Sequence, residues 1–382
     1  MTMRTKSLNI PLPLLVVIDD VGWWSGEDSH LANGPYRTGI SRNHCVFDYD
    51  AIAELARMAG TRIQAAFVLG EWDRKNILKK VPSSTWMGKD WDNSRWQGPW
   101  LDEAASLLNA KKDFIEITLH AIGHEYWEHP GPFTRAEWGG PDGTMRPREE
   151  VIAHIEAFKE IMEQNRLGEF PASFVPSAFK YCFGAEADGL APILKSYGIK
   201  FISNPFDATA WKNKPEDPDF GIDGGIPFVN RGKGLIPWLS IDPSLDGLYW
   251  DGPVCGLHWP NILNNVPEEN SITVERWAAH LDKNYVKSPD RVMARNTADC
   301  WTQLLFSKKT KQSIGESGIS FDFSELERGN YPFLGNKFRI KTDFELPLCQ
   351  NPTIASGTKH SSSLFEYEIA RVPGQEAVTI YF

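Results

Sequence analysis

The sequence has few cysteines and no long hydrophobic run. Its five cysteines are widely spaced, odd in number and form no CxxC pair, which excludes a disulfide framework and a cysteine-clip metal site. No stretch approaches the roughly 18 consecutive apolar residues of a membrane-spanning helix. We therefore expect the cysteines to be buried free thiols of a protein in a reducing compartment.

An excess of positive charge is also lacking. The chain has 40 Lys and Arg against 50 Asp and Glu, a net charge of −10. This leaves no basic face for nucleic acid or an anionic membrane. The basic first residues run straight into a proline-flanked strand, without a separate signal-peptide core or cleavage site. The expected location is the cytoplasm, or outside the cell if the sequence is a trimmed form of a longer chain.

What the chain does have is size and a repeating pattern of elements. Its 382 residues, 41% of them hydrophobic, allow one large domain or one large and one small. Strand-like and helix-like segments alternate over about 300 residues, which predicts an α/β fold, either a parallel barrel or a doubly wound sheet. The last part, residues 311–382, alternates apolar and polar residues between glycine and asparagine turns and predicts a small C-terminal β appendage.

Several individual elements are predicted from the same pattern. Residues 50–58 read as an amphipathic helix with Asp48 or Asp50 as its N-cap. A tryptophan-rich insertion follows at about residues 72–100. The predicted strands are residues 14–18, 62–69, 114–119, 172–175, 199–202, 235–241 and 254–257, and the remaining predicted helices are residues 101–109, 147–165, 188–196, 273–286 and 293–306.

Two short polar motifs follow apolar strand-like runs. Asp19-Asp20 ends the first strand, and His120-Ala-Ile-Gly-His124 ends the strand at residues 114–119. Because parallel strands end at the same edge of a sheet, carboxylates and imidazoles placed there can assemble a metal site. An aspartate doublet alone is weak evidence for a site, because such a pair can occur by chance. Histidines four residues apart on a first helical turn would face the same way and share an ion; a surface pair capping a helix is the alternative. The two motifs together favour a metal-dependent hydrolase.

Tryptophan is unusually abundant. The chain has 15 tryptophans, many of them in polar, glycine-rich segments. An indole stacks on the flat C–H face of a sugar ring while neighbouring polar groups bind the hydroxyls. The tryptophans therefore suggest a carbohydrate ligand, although at least half of them could simply pack the insertion against the barrel. His30 and His44, in the loop after the doublet, are weaker candidates for substrate contacts.

With Leu257-His258 as a third element, the chain resembles the polysaccharide deacetylases of the NodB-homology type, carbohydrate esterase family 4. In that family the first strand ends in an Asp-Asp doublet, a later strand in His-x-x-x-His, and the last in a Leu-x-x-His or similar segment. The resemblance covers roughly residues 12–270 and implies a divergent member. It implies a distorted (β/α)7-type barrel over residues 1–310, with residues 311–382 outside it.

The resemblance also implies roles for individual residues. The metal ligands would be Asp20, His120 and His124, with Asp19 as general base and His258 as general acid. Residues 235–242 with Trp250 would take the place of a family strand ending in an acid and a tryptophan, so that Asp242 orients a catalytic partner. Ser177 would supply the backbone donor to the oxyanion. The best candidates for pocket walls are Trp23, Trp24, Trp127, Trp250 and Trp259.

One departure from the family pattern concerns an arginine. The family usually has Arg-x-Pro-Tyr, whereas Phe174-Val175-Pro176-Ser177 keeps only the proline. The arginine that orients the base is therefore missing at that position, and Arg231, Lys180 or another lysine would have to replace it. The nitrogen and oxygen ligand set fits Zn²⁺ but does not select it over Co²⁺, Ni²⁺, Mn²⁺ or Fe²⁺.

The sequence leads to one principal function and keeps two alternatives. The principal one is removal of an N- or O-acetyl group from a carbohydrate, with Asp19 as base and His258 as acid. A glycoside hydrolase would need two flanking carboxylates, for which only Asp19 and Asp242 are available, and a C–N amidase is a variant of this alternative. The third is a carbohydrate-binding protein with a degenerate site. The partners expected are a carbohydrate substrate, no nucleic acid and no membrane; a homo-oligomer is left open.

Overall fold

The computed structural model describes residues 7–27, 34–184, 189–209, 215–315 and 317–381. His30 and the start of the helix predicted at Asp188 lie outside these ranges. The chain forms two compact units, which we name by their place in the sequence: a terminal unit of Met1–Leu15 with Ala279–Phe382, and a central unit of Val16–Ala278. The domain boundary expected near residue 310 stays a prediction. Within the described ranges, no helix is long and apolar enough to cross a membrane.

The helices agree closely with the periodic segments of the sequence. A turn of π-helix, Asp282–Val286, continues the fifth of them. The α-helices of the described residues are α1 (Val46–Ala59), α2 (Trp100–Ala110), α3 (Arg148–Gln164), α4 (Leu190–Ser196), α5 (Asn270–Leu281), α6 (Thr297–Lys309) and α7 (Ser324–Gly329).

The strands are more numerous than the sequence predicts, and many are short. In chain order they are β1 (Leu8–Asn9), β2 (Leu12–Val21), β3 (Ile63–Val68), β4 (Ile115–Ala121), β5 (Tyr126–Trp127), β6 (Phe133–Thr134), β7 (Ser173–Phe174), β8 (Phe201–Asn204), β9 (Phe220–Asp223), β10 (Ile226–Asn230), β11 (Val254–His258), β12 (Arg291–Met293), β13 (Lys311–Ile314), β14 (Gly318–Asp322), β15 (Lys337–Thr342), β16 (Ile354–Ser361), β17 (Leu364–Ala370) and β18 (Ala377–Tyr381).

A curled, largely parallel sheet organises the central unit. Its strand order is β11-β2-β3-β4-β7-β8-β10-β9. The pairs from β2 to β10 are parallel, and β9 is an antiparallel edge strand. Parallel strands need long crossovers and are covered on both faces, which explains the unbroken buried runs Leu14–Ile18 and Ala65–Leu69. The predicted α/β fold is confirmed, and the distorted (β/α)7-type barrel takes the form of a strongly curled half-barrel sheet.

The terminal unit contains two small antiparallel sheets. One has the order β1-β15-β17-β16 and the other β13-β14-β18. All strands from β13 onward follow residue 310, so the small C-terminal β appendage is confirmed. Within the terminal unit, the rings of Phe306 and Phe338 stack with their centroids 4.3 Å apart, and Phe323 packs edge-on against both. The short strand β12 pairs in parallel with Leu12–Leu14 of β2.

The tryptophan-rich insertion is held together by its own indoles. Trp91 and Trp96 stack with ring centroids 5.7 Å apart, and Trp86 packs edge-on against both. Trp72 and Trp100 are also buried. The backbone runs through short 3₁₀ turns at Gly70–Trp72, Ile77–Lys80, Pro82–Ser84 and Gly88–Asp90.

The strand predicted at residues 235–241 is wrong. The described chain has no strand there; the sheet instead uses β10, which the sequence analysis missed. Pro237 interrupts the predicted segment and lacks a ladder donor, and Leu235 and Leu239 are exposed. In β10, by contrast, Ile226 and Phe228 are buried. The residue that follows this strand of the sheet is therefore Arg231 and not Asp242.

The predicted N-cap of α1 is also wrong. The cap is Cys45, and Asp48 lies three residues into the helix, where its Oδ2 accepts a hydrogen bond from the Cys45 N–H at 3.0 Å. Asp48 also binds Arg42 and His44. Burial opposes ionisation, but these two hydrogen bonds outweigh it and hold the pKa of the Asp48 carboxyl well below its usual range. His44 is therefore a structural residue that fixes this end of α1.

We predict that Gly22→Ala destabilises the protein far more than Gly60→Ala. Both glycines have positive φ, +118° and +65°. A Cβ on Gly22 would lie 2.4 Å from the Val68 carbonyl oxygen, whereas a Cβ on Gly60 meets nothing within 4 Å. Gly60→Ala should cost about 1 kcal/mol of backbone strain, and Gly22→Ala several times that. Thermal unfolding midpoints measure the difference, and equal shifts would contradict it.

Candidate metal centre

A β-bulge brings the two carboxylates of the doublet to one place. Asp19 and Asp20 lie inside β2 and not after it. The register with β3 shifts between Ile18 and Val21, and Asp20 has a φ of +62°, which is uncommon for a residue with a side chain. In a regular strand, consecutive side chains point to opposite faces, and a bulge relieves that alternation. The Oδ2 atoms of both aspartates consequently lie 4.0 Å from Nε2 of His258.

The two histidines of the second motif are joined by an irregular turn. His120 belongs to β4, and His124 follows in a loop with a φ of +70°, so the predicted helical turn is wrong. Gly123 explains the path, because a Cβ there would lie 2.1 Å from the Ser84 carbonyl oxygen. The imidazoles still come together, with ring centroids 5.3 Å apart. The backbone conformation differs from the expectation, but the pairing is the same.

Asp20, His120 and His124 form a buried cluster with the composition of a metal site. Asp20 Oδ1 lies 3.3 Å from His120 Nε2 and 3.5 Å from His124 Nε2. The three ligand atoms lie within 4.8 Å of one another. Asp20 Oδ1 and His120 Nε2 are buried without a hydrogen-bond partner. Buried polar atoms are normally paired, so these atoms fit a divalent cation that would bridge them.

The hydrogen bonds around His120 select the tautomer that a metal requires. Its Nδ1 lies 2.7 Å from the Val175 carbonyl oxygen, which can only accept, so Nδ1 carries the proton. The lone pair is thereby left on Nε2, which faces Asp20. Burial lowers the pKa of His120, but the Asp20 and Asp19 carboxylates outweigh it and raise that pKa.

The charge of Asp20 is favoured by its imidazole neighbours. Burial alone would raise its pKa. The side chains of His124, His120 and His258 outweigh burial and hold that pKa well below its usual range. The negative charge that these histidines favour on Asp20 is also the form of the carboxylate that would bind a divalent transition metal, which would take the place of the imidazole protons facing it.

Asp19 has a different partner. Arg231 Nη1 donates to Asp19 Oδ1 at 2.9 Å and lies 2.7 Å from Oδ2, with both side chains almost fully buried. Arg231 follows β10, two strands beyond the segment where the family has its arginine. Lys180, the other named candidate, is exposed and has no described contact with Asp19. A buried carboxylate paired with a guanidinium keeps a fixed orientation.

His258 closes the cluster from the end of β11. Its side chain is 21% exposed, so it lies between the buried carboxylates and solvent. Burial lowers its pKa, although the carboxylates of Asp19 and Asp20 act in the opposite direction. An imidazole in this position can exchange a proton with a group that enters from outside.

Asp242 has partners outside the cluster, whereas the predicted backbone role of Ser177 stays a prediction. Asp242 is partly exposed and binds Thr273 and Arg276; no described contact joins it to Asp19 or His258. Ser177 is buried, and its hydroxyl accepts a hydrogen bond from the Glu137 N–H at 3.0 Å. Asp242 does not occupy its predicted position because the strand predicted at residues 235–241, which it would follow, does not form.

The predicted tryptophans differ in their surroundings. Only Trp23 shares a small pocket with Asp20 and His124 among the described pocket linings. Trp259 is fully buried and stacks on His44 at 4.0 Å, which places it in the core. The other three pack against aromatic rings: Trp24 on Trp100 at 4.9 Å, Trp127 on Phe133 at 4.4 Å, and Trp250 near Trp277 at 6.0 Å.

A residue that no sequence pattern predicts, Glu137, holds the turn between the histidines. The buried Glu137 carboxylate accepts hydrogen bonds from the N–H groups of Ile122 and Gly123, at 3.0 and 3.1 Å. It also binds His154 Nδ1 at 2.9 Å, although His154 reads as an ordinary helix residue in the sequence. No local pattern singles out Glu137, because its partners are backbone groups of another segment.

Comparison with known proteins gives a distant structural likeness. No family model and no curated protein matches the sequence. A family 4 carbohydrate esterase from Streptomyces lividans aligns at 12% identity and a TM-score of 0.30, over 71% of this chain and 88% of that one. A Parabacteroides distasonis protein assigned as a glycoside hydrolase/deacetylase aligns at 13% identity and a TM-score of 0.41, over 87% of this chain and 80% of that one.

Glycoside-processing enzymes are also among the matches. The 4-alpha-glucanotransferase of Thermococcus litoralis aligns at 15% identity and a TM-score of 0.37, covering 74% of this chain; the chain spans 39% of that enzyme's length. The matches are thus distant, and they include both deacetylases and glycoside hydrolases. Similarity at this level does not define an activity.

We predict that Glu137→Gln weakens metal binding without abolishing it. The amide would lose the charge that holds the Ile122 and Gly123 N–H groups, so His124 would be less well placed. Second-sphere substitutions of this kind lower affinity by about 10- to 100-fold. Competition titration of the metal-free protein with Zn²⁺ and a chelating dye measures the change. Glu149→Gln, on the exposed first turn of α3, is the matched control and should bind like wild type. Unchanged affinity in Glu137→Gln would show that the turn is held without this carboxylate.

Proposed function

We propose that the protein is a metal-dependent hydrolase that removes N- or O-acetyl groups from a carbohydrate, as a divergent relative of the family 4 carbohydrate esterases. One observation carries the proposal: a buried Asp20, His120 and His124 cluster, whose ligand atoms lie within 4.8 Å, adjoins a second carboxylate and a third imidazole. A binding protein has no need of all five groups.

Asp20, His120 and His124 would hold the metal. When bound, such an ion lowers the pKa of water and polarises an acyl carbonyl. Zn²⁺ fits the donor set, as do Co²⁺, Ni²⁺, Mn²⁺ and Fe²⁺. The orphaned atoms Asp20 Oδ1 and His120 Nε2 support this assignment, since nothing else described satisfies them.

Asp19 would act as the general base. Arg231 Nη1 lies against both of its oxygens, 2.9 Å from Oδ1 and 2.7 Å from Oδ2, and Oδ2 also faces His258 Nε2 at 4.0 Å, so this oxygen lies on the side of the cluster where it could take a proton from water. Arg231 holds the carboxylate in place from the buried side. Arg231 would thus replace the arginine absent from the Phe174–Ser177 segment.

His258 would act as the general acid. An amide nitrogen is a poor leaving group, so breaking the C–N bond needs a proton delivered to it. His258 reaches solvent, whereas Asp19 is buried against Arg231. These unlike environments suit opposite proton-transfer roles. The proton that Asp19 takes and the proton that His258 gives balance over one hydrolytic cycle.

The glycosidase alternative needs a second carboxylate beside Asp19, and the predicted one, Asp242, has other partners. Inverting and retaining glycosidases need two acids facing each other across the bond, about 5 to 9.5 Å apart. Asp242 is engaged by Thr273 and Arg276, and Asp20 belongs to the metal cluster. The described site therefore favours deacetylation over glycoside hydrolysis.

We predict that the protein binds about one divalent ion per chain and that His120→Ala loses both this ion and acetate release. Elemental analysis of both proteins, with acetate release from a panel of N- and O-acetylated sugars, checks this. An ion without acetate release from any sugar would point to another hydrolytic reaction at this site. No ion in either protein would refute the catalytic proposal.

We predict that Asp19→Asn retains the metal but lowers kcat for acetate release by about 10²- to 10⁴-fold, the usual contribution of a general base. Asp246→Asn, an exposed aspartate of the same unit, should behave like wild type. If Asp19→Asn kept full activity, Asp19 would be a structural partner of Arg231 only.

A further inference from the structure

A small pocket adjoins the metal ligands and contains two arginines. Two of its lining residues belong to the metal cluster, and the others come from the loop after β2 and the segment after β6. The pocket is lined by Asp20, Trp23, Tyr36, Arg37, His124 and Arg135. The pocket is too tight to hold a group between its walls, and Arg37 is buried, so of its two arginines only the partly exposed Arg135 can be reached from solvent.

The charge of Arg37 is balanced within the protein. Its Nη2 donates to Glu71 Oε1 at 2.8 Å, and its Nη1 donates to the Tyr36 carbonyl oxygen at 2.8 Å. The guanidinium also lies 3.8 Å from the centre of the Trp23 ring. Glu71 in turn accepts from the N–H groups of Trp24 and Ser25. Arg37 is therefore a buried residue of the pocket wall, and both of its terminal nitrogens already donate to acceptors within the protein.

The charge of Arg135 is not balanced. Its guanidinium carbon lies 3.8 Å from the Tyr36 ring centre and 4.3 Å from that of Trp238. Nε is buried without a hydrogen-bond partner, and the described residues provide no ion pair for this side chain. Stacking fixes the plane of the guanidinium and leaves its N–H edge free. Arg135 is partly exposed, so the outer edge of its guanidinium is open to an anion that arrives from solvent.

The edge of a guanidinium is matched to the paired oxygens of a carboxylate or phosphate. Trp238, which helps to fix Arg135, also lies 6.4 Å from the His258 ring, so this cation and the proposed acid share one neighbour. An anionic group on a sugar that enters beside His258 would therefore be within reach of Arg135.

We infer that the substrate is an acetylated sugar that carries an anionic group, a carboxylate or a phosphate, and that Arg135 binds this group. The inference rests on the proposed deacetylase function and names its substrate class. It concerns binding, so it has a readout that does not depend on acetate release.

The kinetic test uses one sugar in three charge states. Acetate release is measured from N-acetylglucosamine, from its 6-carboxylate (the uronic acid) and from its 6-phosphate. Wild type should favour one of the two anionic forms by about 10- to 100-fold in kcat/KM, the usual effect of hydrogen bonds to a charged group. Which form it favours tells carboxylate from phosphate. Equal rates for all three sugars would overturn the inference and leave the deacetylase proposal intact.

Substitutions of Arg135 then test whether this residue causes the preference for an anionic sugar. Arg135→Gln should remove it through KM while leaving the neutral sugar unchanged, and Arg135→Lys, which keeps the charge but not the fork, should retain part of it. Arg148→Gln, at the exposed start of α3, is the matched control. Thermal midpoints show that each variant is folded. A preference that survives in Arg135→Gln would overturn the assignment to Arg135.

A binding measurement separates this inference from the proposed function. Calorimetric titration of the metal-loaded protein with glucosamine, its 6-carboxylate and its 6-phosphate reports binding without reaction. Binding of an anionic sugar that is lost in Arg135→Gln, with no acetate release from any sugar, would support the anion site and refute the deacetylase. Absence of both would refute both.

Discussion

The structure of the site depends on a buried carboxylate placed between two imidazoles. Asp20 has no guanidinium, lysine or hydroxyl partner among the described residues; its nearest polar neighbours are His120 and His124, at 3.3 and 3.5 Å. An ionised group without a strong partner is expensive to bury. The protein nevertheless holds all three side chains in place, and this arrangement is best explained by a cation that satisfies them together.

Holding these groups requires unusual backbone conformations. Asp20 and His124 both have positive φ, a backbone conformation that costs about 1 to 3 kcal/mol for each non-glycine residue. Such conformations persist only where neighbours enforce them. The β2 bulge enforces the first, and the Glu137 carboxylate, bound to the Ile122 and Gly123 N–H groups, enforces the second. The strain thus lies at the proposed ligands and is supported from outside them.

The sequence predicts the parts of the site that depend on strand ends. Apolar runs identify β2, β4 and β11, which belong to one sheet, and the polar residues of β2 and β4 come together because these strands run parallel and end at one edge. Arg231 could be named only as one of several candidates, because β10 is short and follows a turn. The nearby run at residues 235–241 is the more hydrophobic in appearance, but its leucines are exposed.

Other features could not be predicted because they depend on contacts between distant segments. The turn at His124 follows from the closeness of Gly123 to Ser84, which no spacing rule encodes. Most of the tryptophans that suggest a sugar site pack against one another or against other rings, as Trp91 and Trp96 do. Residue composition can therefore suggest a sugar ligand only as a hypothesis, since packing and recognition use the same indole ring.

The partners of the buried carboxylates show which of them lacks a counter-charge. Asp19, Asp48 and Glu71 each have an arginine, namely Arg231, Arg42 and Arg37. Glu137 has His154 and two backbone donors. Glu125 has only the Tyr36 N–H and a distant His124 nitrogen, and burial raises the pKa of its carboxyl. Among these acids Asp20 alone combines a strongly lowered pKa with an unsatisfied oxygen.

The same comparison applies to the cations. Arg37, Arg42 and Arg231 are each matched to a carboxylate, whereas Arg135 has aromatic rings but no acid among the described residues. The site therefore leaves one negative and one positive group unmatched, Asp20 and Arg135, in the same pocket. If the two were meant to pair with each other, a direct contact would be the simplest arrangement. No ion pair joins them in the described structure, which fits two different partners, a cation for the aspartate and an anionic substrate for the arginine.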